Sequence, residues 1–509
     1  MDRSIRRLGA FLLAIFCALF AQLNYIQVFR ASDLNEKTAA STVIPNDRPI
    51  VASFSRARGS IATADGVVLA RSVETSDRFQ FQREYPEGDL YAALTGYFSY
   101  VRGATGLERA YNQELSGRTA KQQVRSVGDL FVDTDRTGNL ELTVRSDVQQ
   151  AARDALGDQK GSVVVLDPRS GAVLALWSNP SFDPNLLASH DLDAAESAYK
   201  ILEAVDGKPL LPKAYQEIYP PGSTFKVVTG STGVEDGSVT PDSPVYPTIT
   251  ALDVPGTTKD LPNFGGSACG GTLFQILAKS CNTSFAQMGL DLGGEKMTAG
   301  AEAFGFNETI PFDLATATSN FPTDFTQDQP KLAQSSIGQN DVAATPLQMA
   351  LVAAGIANDG EILEPYLVQT IRDGEGDLVM QAERTQWKRA VSPQTAATMR
   401  DAMREVVANG SATRLQIDGV DVGAKTGTAQ FGPSAPLRSH AWTIAWAGLP
   451  GQAPTLAVAV IVEGQDGASE QTGGRVAAPI AKLVIEQALQ PMPEPPATTT
   501  GATTTTAGN

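Results

Sequence analysis

Ser223 and Lys226 stand three residues apart, directly after two prolines and a glycine. The prolines end whatever element precedes them. The apolar residues that follow have helical spacing, so a helix with one buried face is predicted to begin here. On a helix, residues three apart share a face, and a lysine with a lowered pKa can take the proton from a serine hydroxyl. The pair therefore predicts a nucleophilic serine with its base, although a helix-capping serine followed by a surface lysine fits the same spacing.

Ser280 and Asn282 form a second motif, between two stretches with helical spacing at 272–279 and 283–290. A serine hydroxyl can pass on a proton, and an amide can hold a substrate carbonyl. We expect both side chains to point into one cleft from the connection between the helices. A capping turn is the alternative, because such turns also favour Ser and Asn.

The third motif is a run of four residues on a predicted strand near the end of the chain: Lys425, Thr426, Gly427 and Thr428. The lysine supplies a positive charge and the threonines supply hydroxyls, which suits a substrate with a terminal carboxylate. The glycine is predicted to let a ligand approach the backbone closely. A strand end with a solvated lysine is the alternative interpretation.

The composition leaves Ser, Thr, Lys, Asn and carboxylate side chains to supply the chemistry. With 40 basic and 56 acidic residues the net charge is −16, which gives no electrostatic basis for binding nucleic acid. Two histidines, His190 and His440, and three cysteines are too few for histidine-based metal sites or a zinc ribbon. We interpret His440 as a structural residue at a strand end rather than a proton shuttle.

The remaining sequence predicts how the motifs are held. Three arginines precede an uncharged stretch long enough to cross the ~30 Å core of a bilayer, which predicts a membrane anchor with its N-terminus in the cytoplasm. A cleaved signal peptide is the alternative. The Pro- and Thr-rich end cannot bury a core and is predicted to be disordered. The predicted segments are a cytoplasmic N-terminus at 1–7, the anchor at 8–29, an N-terminal domain at 30–140, a second domain at 141–490 and the tail at 491–509.

The second domain has the pattern of an α+β fold, because a strand hairpin leads into a mainly helical middle and further strands follow. The predicted elements are a helix at 147–156, strands at 162–166, 172–177, 422–431, 440–448 and 455–462, and a final helix at 477–489. The N-terminal domain has short alternating runs, at 50–52 and 67–69 for example, and is predicted to be mostly β.

The ordered set Ser-x-x-Lys, Ser-x-Asn and Lys-Thr-Gly is a signature of penicillin-binding proteins and their β-lactamase relatives. Over nearly its whole length the chain resembles the class B penicillin-binding proteins, the actinobacterial members in particular. The further matching stretches are 58–61, 65–66, 83–86, 106–108, 111–112, 166–168, 179–185, 336–339, 345–350 and 440–442. The resemblance implies a transpeptidase domain like that of serine β-lactamases, with helices on both faces of an antiparallel sheet, after a pedestal domain similar to a dimerisation domain.

The resemblance also implies D,D-transpeptidation of peptidoglycan stem peptides that end in D-Ala-D-Ala. Ser223 would attack the penultimate carbonyl after giving its proton to Lys226. Ser280 would relay the proton toward the leaving D-alanine, and Asn282 would hold the substrate amide and orient Lys226. β-Lactams would acylate Ser223, and the reaction needs no metal or organic cofactor.

The family's substrate-binding roles fall on the third motif. Lys425, Thr426 and Thr428 would bind the substrate carboxylate, and the backbone N–H groups of Ser223 and Thr428 would form the oxyanion hole. The catalytic domain would lie outside the cytoplasmic membrane on its single anchor. A glycosyltransferase and proteins of elongation or division are the implied protein partners.

Other interpretations stay open at this point. A D,D-carboxypeptidase or a β-lactamase would keep every catalytic residue, and a β-lactam sensor or division scaffold would keep the fold without the activity. The sequence also leaves open whether Cys269 and Cys281, which flank one predicted helix, form a disulfide or stay as free thiols.

Overall fold

The computed structural model describes residues 2–29, 53–119, 122, 136–326, 328–431, 438–464 and 472–494. The chain divides into two compact units, residues 1–57 with 74–82 and residues 58–73 with 83–509. The predicted strand at 50–52 and most of the predicted tail, 495–509, lie outside the described residues.

The first unit contains one long helix, α1 (Asp2–Phe29). In the described part of the chain, its stretch Arg7–Tyr25 is the one helical segment long and apolar enough to cross a membrane, judged by length and composition. No part of this stretch is buried within the protein. Exposed leucines and phenylalanines cost free energy in water, so the helix suits a lipid environment. The predicted anchor falls on this helix, and its orientation stays a prediction.

Nineteen strands and fifteen further α-helices with defined bounds follow in the described residues. The strands are β1 (Ile61–Ala62), β2 (Val68–Glu74), β3 (Phe81–Glu84), β4 (Phe98–Ser99), β5 (Gly103–Ala104), β6 (Asn139–Leu142), β7 (Gly161–Leu166), β8 (Val173–Asn179), β9 (Tyr246–Ile249), β10 (Ala251–Leu252), β11 (Leu261–Pro262), β12 (Cys269–Gly271), β13 (Glu361–Leu363), β14 (Val368–Arg372), β15 (Leu378–Gln381), β16 (Gln386–Arg389), β17 (Asp421–Phe431), β18 (Arg438–Gly448) and β19 (Leu456–Val462). The helices are α2 (Ala92–Thr95), α3 (Gly106–Ala110), α4 (Asn112–Leu115), α5 (Ser146–Leu156), α6 (Asn185–Ala188), α7 (Leu192–Ala204), α8 (Lys213–Gln216), α9 (Lys226–Glu235), α10 (Leu273–Lys279), α11 (Asn282–Leu292), α12 (Gly294–Ala303), α13 (Gln329–Ser335), α14 (Pro346–Ala357), α15 (Pro393–Asn409) and α16 (Ala477–Ala488).

The N-terminal part of the second unit combines short strands with the short helices α2, α3 and α4. Its strand β1 pairs antiparallel with β2 and parallel with β6, and β6 pairs in turn with β14. The same region contains a buried ion cluster: Arg58 and Arg83 each bind the Glu108 carboxylate, at 2.9 and 2.6 Å. Burial alone would raise the pKa of Glu108, but the two guanidinium groups outweigh it and hold that pKa below its ordinary value.

The core of the second unit is an antiparallel sheet in the order β17–β18–β19–β7–β8. Every residue of β19 is buried, so packed elements cover both of its faces. The helix α14 packs against β7, β18 and β19, and α16 packs against β18, β19 and α5. This is the α+β arrangement that the sequence predicts.

The predicted elements of this domain lie where hydrophobic periodicity places them, and their ends differ by a residue or two because hydrogen bonding sets the ends. The strand predicted at 172–177 runs over Val173–Asn179, for example. One expectation is wrong: the helix after Ser223 does not have a single buried face. Its first eight residues, 226–233, are all buried, because α11, α12 and α15 all pack against it.

Candidate active site

A tight turn presents Ser223. Gly222 begins a 3-10 helix, Gly222–Phe225, and its φ of +53° is one that glycine adopts readily. Its N–H donates to the carbonyl of Gly338 at 2.9 Å, and a methyl group on Gly222 would come within 3.1 Å of the Thr428 carbonyl oxygen. The turn therefore sits directly against β17. Ser223 is partly exposed and lines a cleft of about 1320 Å³.

Lys226 is fully buried behind this turn. Its Nζ donates to the carbonyl oxygen of Ser280 at 2.8 Å and to Oδ1 of Asn282 at 2.7 Å, and it lies 3.4 Å from Oγ of Ser280. Burial, and then the positive charge of Lys425, lower the pKa of Lys226 well below its ordinary value. The lowered pKa favours the neutral amine, which can accept a proton. Because Lys226 is buried, the alternative of a surface lysine is wrong.

The turn between α10 and α11 brings the second motif to Lys226. Ser280 ends α10 in the left-handed conformation, with φ 61° and ψ 43°, which is uncommon for a residue with a side chain. In this conformation, both the carbonyl oxygen and the hydroxyl of Ser280 contact Nζ of Lys226. The amide of Asn282 also donates to the carbonyl of Pro262 at 3.0 Å, which fixes its orientation.

A disulfide joins Cys269 of β12 to Cys281. Cys281 stands between Ser280 and Asn282, so the bond ties the second motif to β12 and, through its pairing, to β9. The question that the sequence leaves open is thereby answered in favour of the disulfide.

Lys425 is also fully buried, in the middle of the long strand β17. Its Nζ donates to Oγ of Ser280 and to the carbonyl of Thr426, both at 2.8 Å. Burial lowers the pKa of Lys425 to about 7. The Ser280 hydroxyl thus lies between the amino groups of Lys226 and Lys425, and a solvated strand-end lysine is excluded.

The reason predicted for Gly427 is wrong. A methyl group there would come to 2.8 Å from the carbonyl oxygen of Pro221 and 3.1 Å from Cβ of Trp442. Protein atoms rather than a ligand occupy the space beside this glycine. Gly427 is needed because the turn that carries Ser223 packs onto β17 at this position.

The cleft exposes one or two residues from each motif. Ser223, Ser280, Asn282, Thr426 and Thr428 line it, whereas Lys226 and Lys425 lie behind its wall. The structure therefore brings all three motifs together, as the sequence predicts.

Sequence reasoning missed several residues of this cleft. Ser411, just after α15, shares a hydrogen bond of 2.6 Å with the hydroxyl of Thr426, and Arg414 lines the cleft beside it. Phe264 also lines the cleft and is 58% exposed. No short motif marks these residues. The one local signal in the sequence is Gly410, which indicates the end of a helix directly before Ser411.

His440 has the structural role that the sequence predicts. It pairs with Ala429 across β17 and β18, and its Nδ1 accepts a hydrogen bond of 3.2 Å from the backbone N–H of Gly464. Burial lowers the pKa of His440 to about 4, so the ring is neutral near pH 7. The neutral ring of His440 thus accepts a backbone hydrogen bond at Nδ1 and holds Gly464 at the end of the sheet.

Comparisons with known proteins agree with this geometry. Residues 161–486 match the family model of the penicillin-binding protein transpeptidase domain, and residues 58–140 match that of the penicillin-binding protein A dimerisation domain. The chain is 41% identical over 96% of its length to the peptidoglycan D,D-transpeptidase PbpA of Mycolicibacterium smegmatis, covering 99% of that protein. It is 40% identical over 97% of its length to PbpA of Mycobacterium tuberculosis, covering all of it.

Solved structures give the same result. The ceftriaxone acyl-enzyme of M. tuberculosis penicillin-binding protein A superposes with a TM-score of 0.81 at 39% identity, over 86% of this chain and 100% of that one. The penicillin G acyl-enzyme of the same protein gives a TM-score of 0.79 at 40% identity with the same coverage. The particular likeness to actinobacterial relatives is thus confirmed. The chain belongs to the penicillin-binding protein transpeptidase family.

Proposed function

We propose that the chain is a peptidoglycan D,D-transpeptidase that forms an acyl-enzyme on Ser223 and cross-links stem peptides. One observation carries the proposal: Lys226, Ser280, Asn282 and Lys425 form a hydrogen-bonded group at the wall of the cleft that Ser223 lines. Relatives at 40% and 41% identity are named for this activity, and related solved structures carry β-lactam acyl groups.

Acylation starts when Oγ of Ser223 attacks the carbonyl of the penultimate D-alanine. A neutral Lys226 donates its two hydrogens to the Ser280 carbonyl and to Asn282 Oδ1, which leaves its lone pair to accept the serine proton. The new ester bond forms, and the C–N bond to the terminal D-alanine breaks. The proton then passes through the Ser280 hydroxyl to the leaving amine.

The oxyanion of the tetrahedral intermediate is stabilised by the backbone N–H groups of Ser223 and Thr428. The close packing of Gly222 on Thr428 supports this assignment, because it brings the two backbone segments side by side. The hydroxyls of Thr426 and Thr428 bind the terminal carboxylate of the donor. A carboxylate at this position favours the protonated form of Lys425, whose pKa of about 7 lies near the working pH.

Transfer of the acyl group completes the reaction. The amine of a neighbouring stem peptide attacks the ester carbonyl and gives a proton to Lys226. As the ester C–O bond breaks, Lys226 returns this proton to Oγ of Ser223, which leaves as the free hydroxyl. A β-lactam follows the first half of this path, and its opened ring stays attached to Ser223.

The helix α1 anchors the enzyme in the cytoplasmic membrane in a single pass, with residues 1–7 in the cytoplasm and residues 30–490 outside. The arginines before the apolar stretch support this orientation. Residues 30–140 act as a pedestal. A glycosyltransferase that supplies the glycan strands, and proteins of elongation or division, are its partners.

Penicillin and intact-mass spectrometry test the nucleophile. The parent protein is expected to gain the mass of one penicillin, and Ser223→Ala is expected to gain none. Ser238→Ala serves as a matched control, because Ser238 is an exposed serine in the turn after α9. This variant should react with penicillin like the parent. A folded parent that gains no mass would contradict the proposal and favour a sensor or scaffold without activity.

Product analysis tests the acceptor. With a donor that ends in D-Ala-D-Ala and an acceptor peptide that carries a free side-chain amine, a transpeptidase yields the cross-linked dimer. Release of D-alanine with only the shortened donor would identify a D,D-carboxypeptidase instead, and rapid loss of the penicillin adduct would identify a β-lactamase.

A further inference from the structure

A second group of polar side chains lies outside the catalytic motifs and includes Tyr219, which stands four residues before Ser223. The carboxylate of Glu463, which directly follows β19, forms an ion pair with Lys213 of α8 and accepts a hydrogen bond of 2.8 Å from the hydroxyl of Tyr219. The side chain of Lys213 is 3% exposed and that of Glu463 is 17% exposed. Lys213, Tyr219 and Glu463 together are called the Glu463 cluster.

The ion pair is a costly way to fill this space. Taking two charges out of water costs free energy, and an apolar pair of similar volume is often at least as stable. The pair does fix geometry, because a buried Lys213 ammonium keeps the Glu463 carboxylate in one place. The carboxylate in turn gives the Tyr219 hydroxyl a fixed acceptor.

Tyr219 connects this fixed point to the nucleophile. It stands four residues before Ser223, and its backbone N–H and carbonyl both hydrogen-bond to Ala344 at 2.9 Å. Its ring packs edge-on against Trp442 of β18, with centroids 6.2 Å apart. The indole N–H of Trp442 donates to the carbonyl of Pro220 at 3.0 Å.

The segment 219–222 is therefore held at four points: by Ala344 through the Tyr219 backbone, by Glu463 through the Tyr219 hydroxyl, by Trp442 through Pro220, and by Gly338 through Gly222. This segment determines where the Ser223 turn meets β17. The proposed oxyanion hole takes one N–H from the turn and one from β17, so its geometry depends on how these two separate pieces of chain are aligned. An error of about 1 Å in such an alignment can cost about 100-fold in rate.

We propose that Glu463, acting through the Tyr219 hydroxyl, is a positioning residue that aligns the Ser223 turn with β17 for acylation. The inference rests on the proposed function, because it concerns the acylation of Ser223. It assigns no contact with the substrate to Glu463 or Tyr219. Their removal should therefore slow the chemical step without weakening the prior binding of the β-lactam.

The test measures penicillin G acylation of the full-length chain by rapid quench, and separates the dissociation constant of the non-covalent complex from the acylation rate constant. Tyr219→Phe removes only the hydroxyl, and Glu463→Gln removes the charge that holds Lys213. Both variants are expected to lower the acylation rate constant about tenfold with less than about a twofold change in the dissociation constant. The double variant should be no slower than the slower single variant, because both changes release the same contact.

Tyr215→Phe is the matched control. Tyr215 belongs to the same short helix as Lys213, is buried, and donates its hydroxyl hydrogen to the carbonyl of Ala93 at 2.7 Å instead. Thermal unfolding of both Tyr→Phe variants measures the stability lost with a buried hydroxyl. We expect similar losses of Tm but a parent-like acylation rate for Tyr215→Phe.

An acylation rate constant of Tyr219→Phe equal to that of the parent would overturn the inference. An equal slowing in Tyr215→Phe would also overturn it, because the effect would then follow stability alone. If Glu463→Gln does not fold, the acylation rate constant of Tyr219→Phe still tests the inference. A parent protein that forms no adduct would instead overturn the proposed function, so the two failures are distinguishable.

Discussion

The buried cluster of Arg58, Arg83 and Glu108 contains a carboxylate between its positive charges, whereas Lys226 and Lys425 in the active site contact no carboxylate among the described residues. In the first cluster the charges stabilise one another, and the pKa of Glu108 lies below its ordinary value. In the second, burial lowers the pKa of each lysine. Burial with a counter-ion produces a structural anchor, and burial without one produces a base.

Removing the counter-ion from the structural cluster should give the largest effect. Glu108→Gln leaves two guanidinium groups buried without a negative charge, so the free energy of unfolding should fall by about 3–5 kcal/mol. Urea unfolding followed by tryptophan fluorescence measures this. Glu84→Gln, which breaks the exposed pair with Arg71, is the matched control and should cost less than about 1 kcal/mol. A loss for Glu108→Gln no larger than for the control would contradict the comparison.

Adding a counter-ion to the active site is the converse experiment. Asn282→Asp places a carboxylate where the amide oxygen now contacts Nζ of Lys226, which should raise the pKa of Lys226 and keep it protonated. We expect penicillin acylation near pH 7 to fall about 100-fold and to recover partly as the pH rises. Asn282→Ala removes the same hydrogen bond without adding charge, so its pH profile should not move upward. Equal profiles for the two variants would exclude the counter-ion effect.

The two clusters should also affect stability at opposite ends of the pH scale. The Glu108 contribution is present above its unfolded pKa and is lost as the pH falls through its lower folded value. Lys425 has a folded pKa of about 7, so between about pH 7 and 10.5 the unfolded chain binds the proton that the folded chain lacks, and stability rises with pH. Unfolding free energies of the parent minus those of Lys425→Met should rise by up to about 1.4 kcal/mol per pH unit in that window. A flat difference would mean that Lys425 keeps its ordinary pKa.

The smallest predicted effect concerns the disulfide beside the second motif. Replacing Cys269 and Cys281 by serine should loosen the turn that carries Asn282 and slow penicillin acylation about threefold to tenfold. Cys17→Ser changes the one free cysteine and is the control. Acylation at the parent rate in the disulfide-free protein would show that the second motif keeps its position without the bond.

The sequence predicts the catalytic motifs well because each one is local. Ser223 and Lys226 share one turn, and Ser280 and Asn282 share one helix connection, so their spacing already indicates their chemistry. The strands around Lys425 could be predicted because β19 is a continuous apolar run and β18 is mainly apolar after His440.

What the sequence misses depends on contacts between distant parts of the chain. Ser411, which follows α15, contacts Thr426 of β17, and Glu463 contacts Tyr219 from the end of β19. Gly427 was predicted to face a ligand, but Pro221 and Trp442 fill the space beside it. The local sequence around these residues does not indicate these contacts, because the residue that each one contacts lies on another element.

The pH dependence of Ser223 acylation by penicillin tests the central claim most directly, because it measures the pKa of the base in the free enzyme. The account predicts that the second-order rate constant reaches its plateau well below pH 10.5, in keeping with a Lys226 pKa well under its ordinary value. A rate constant that keeps rising toward pH 10.5 would mean that Lys226 is an ordinary charged lysine in the free enzyme, and would contradict the account.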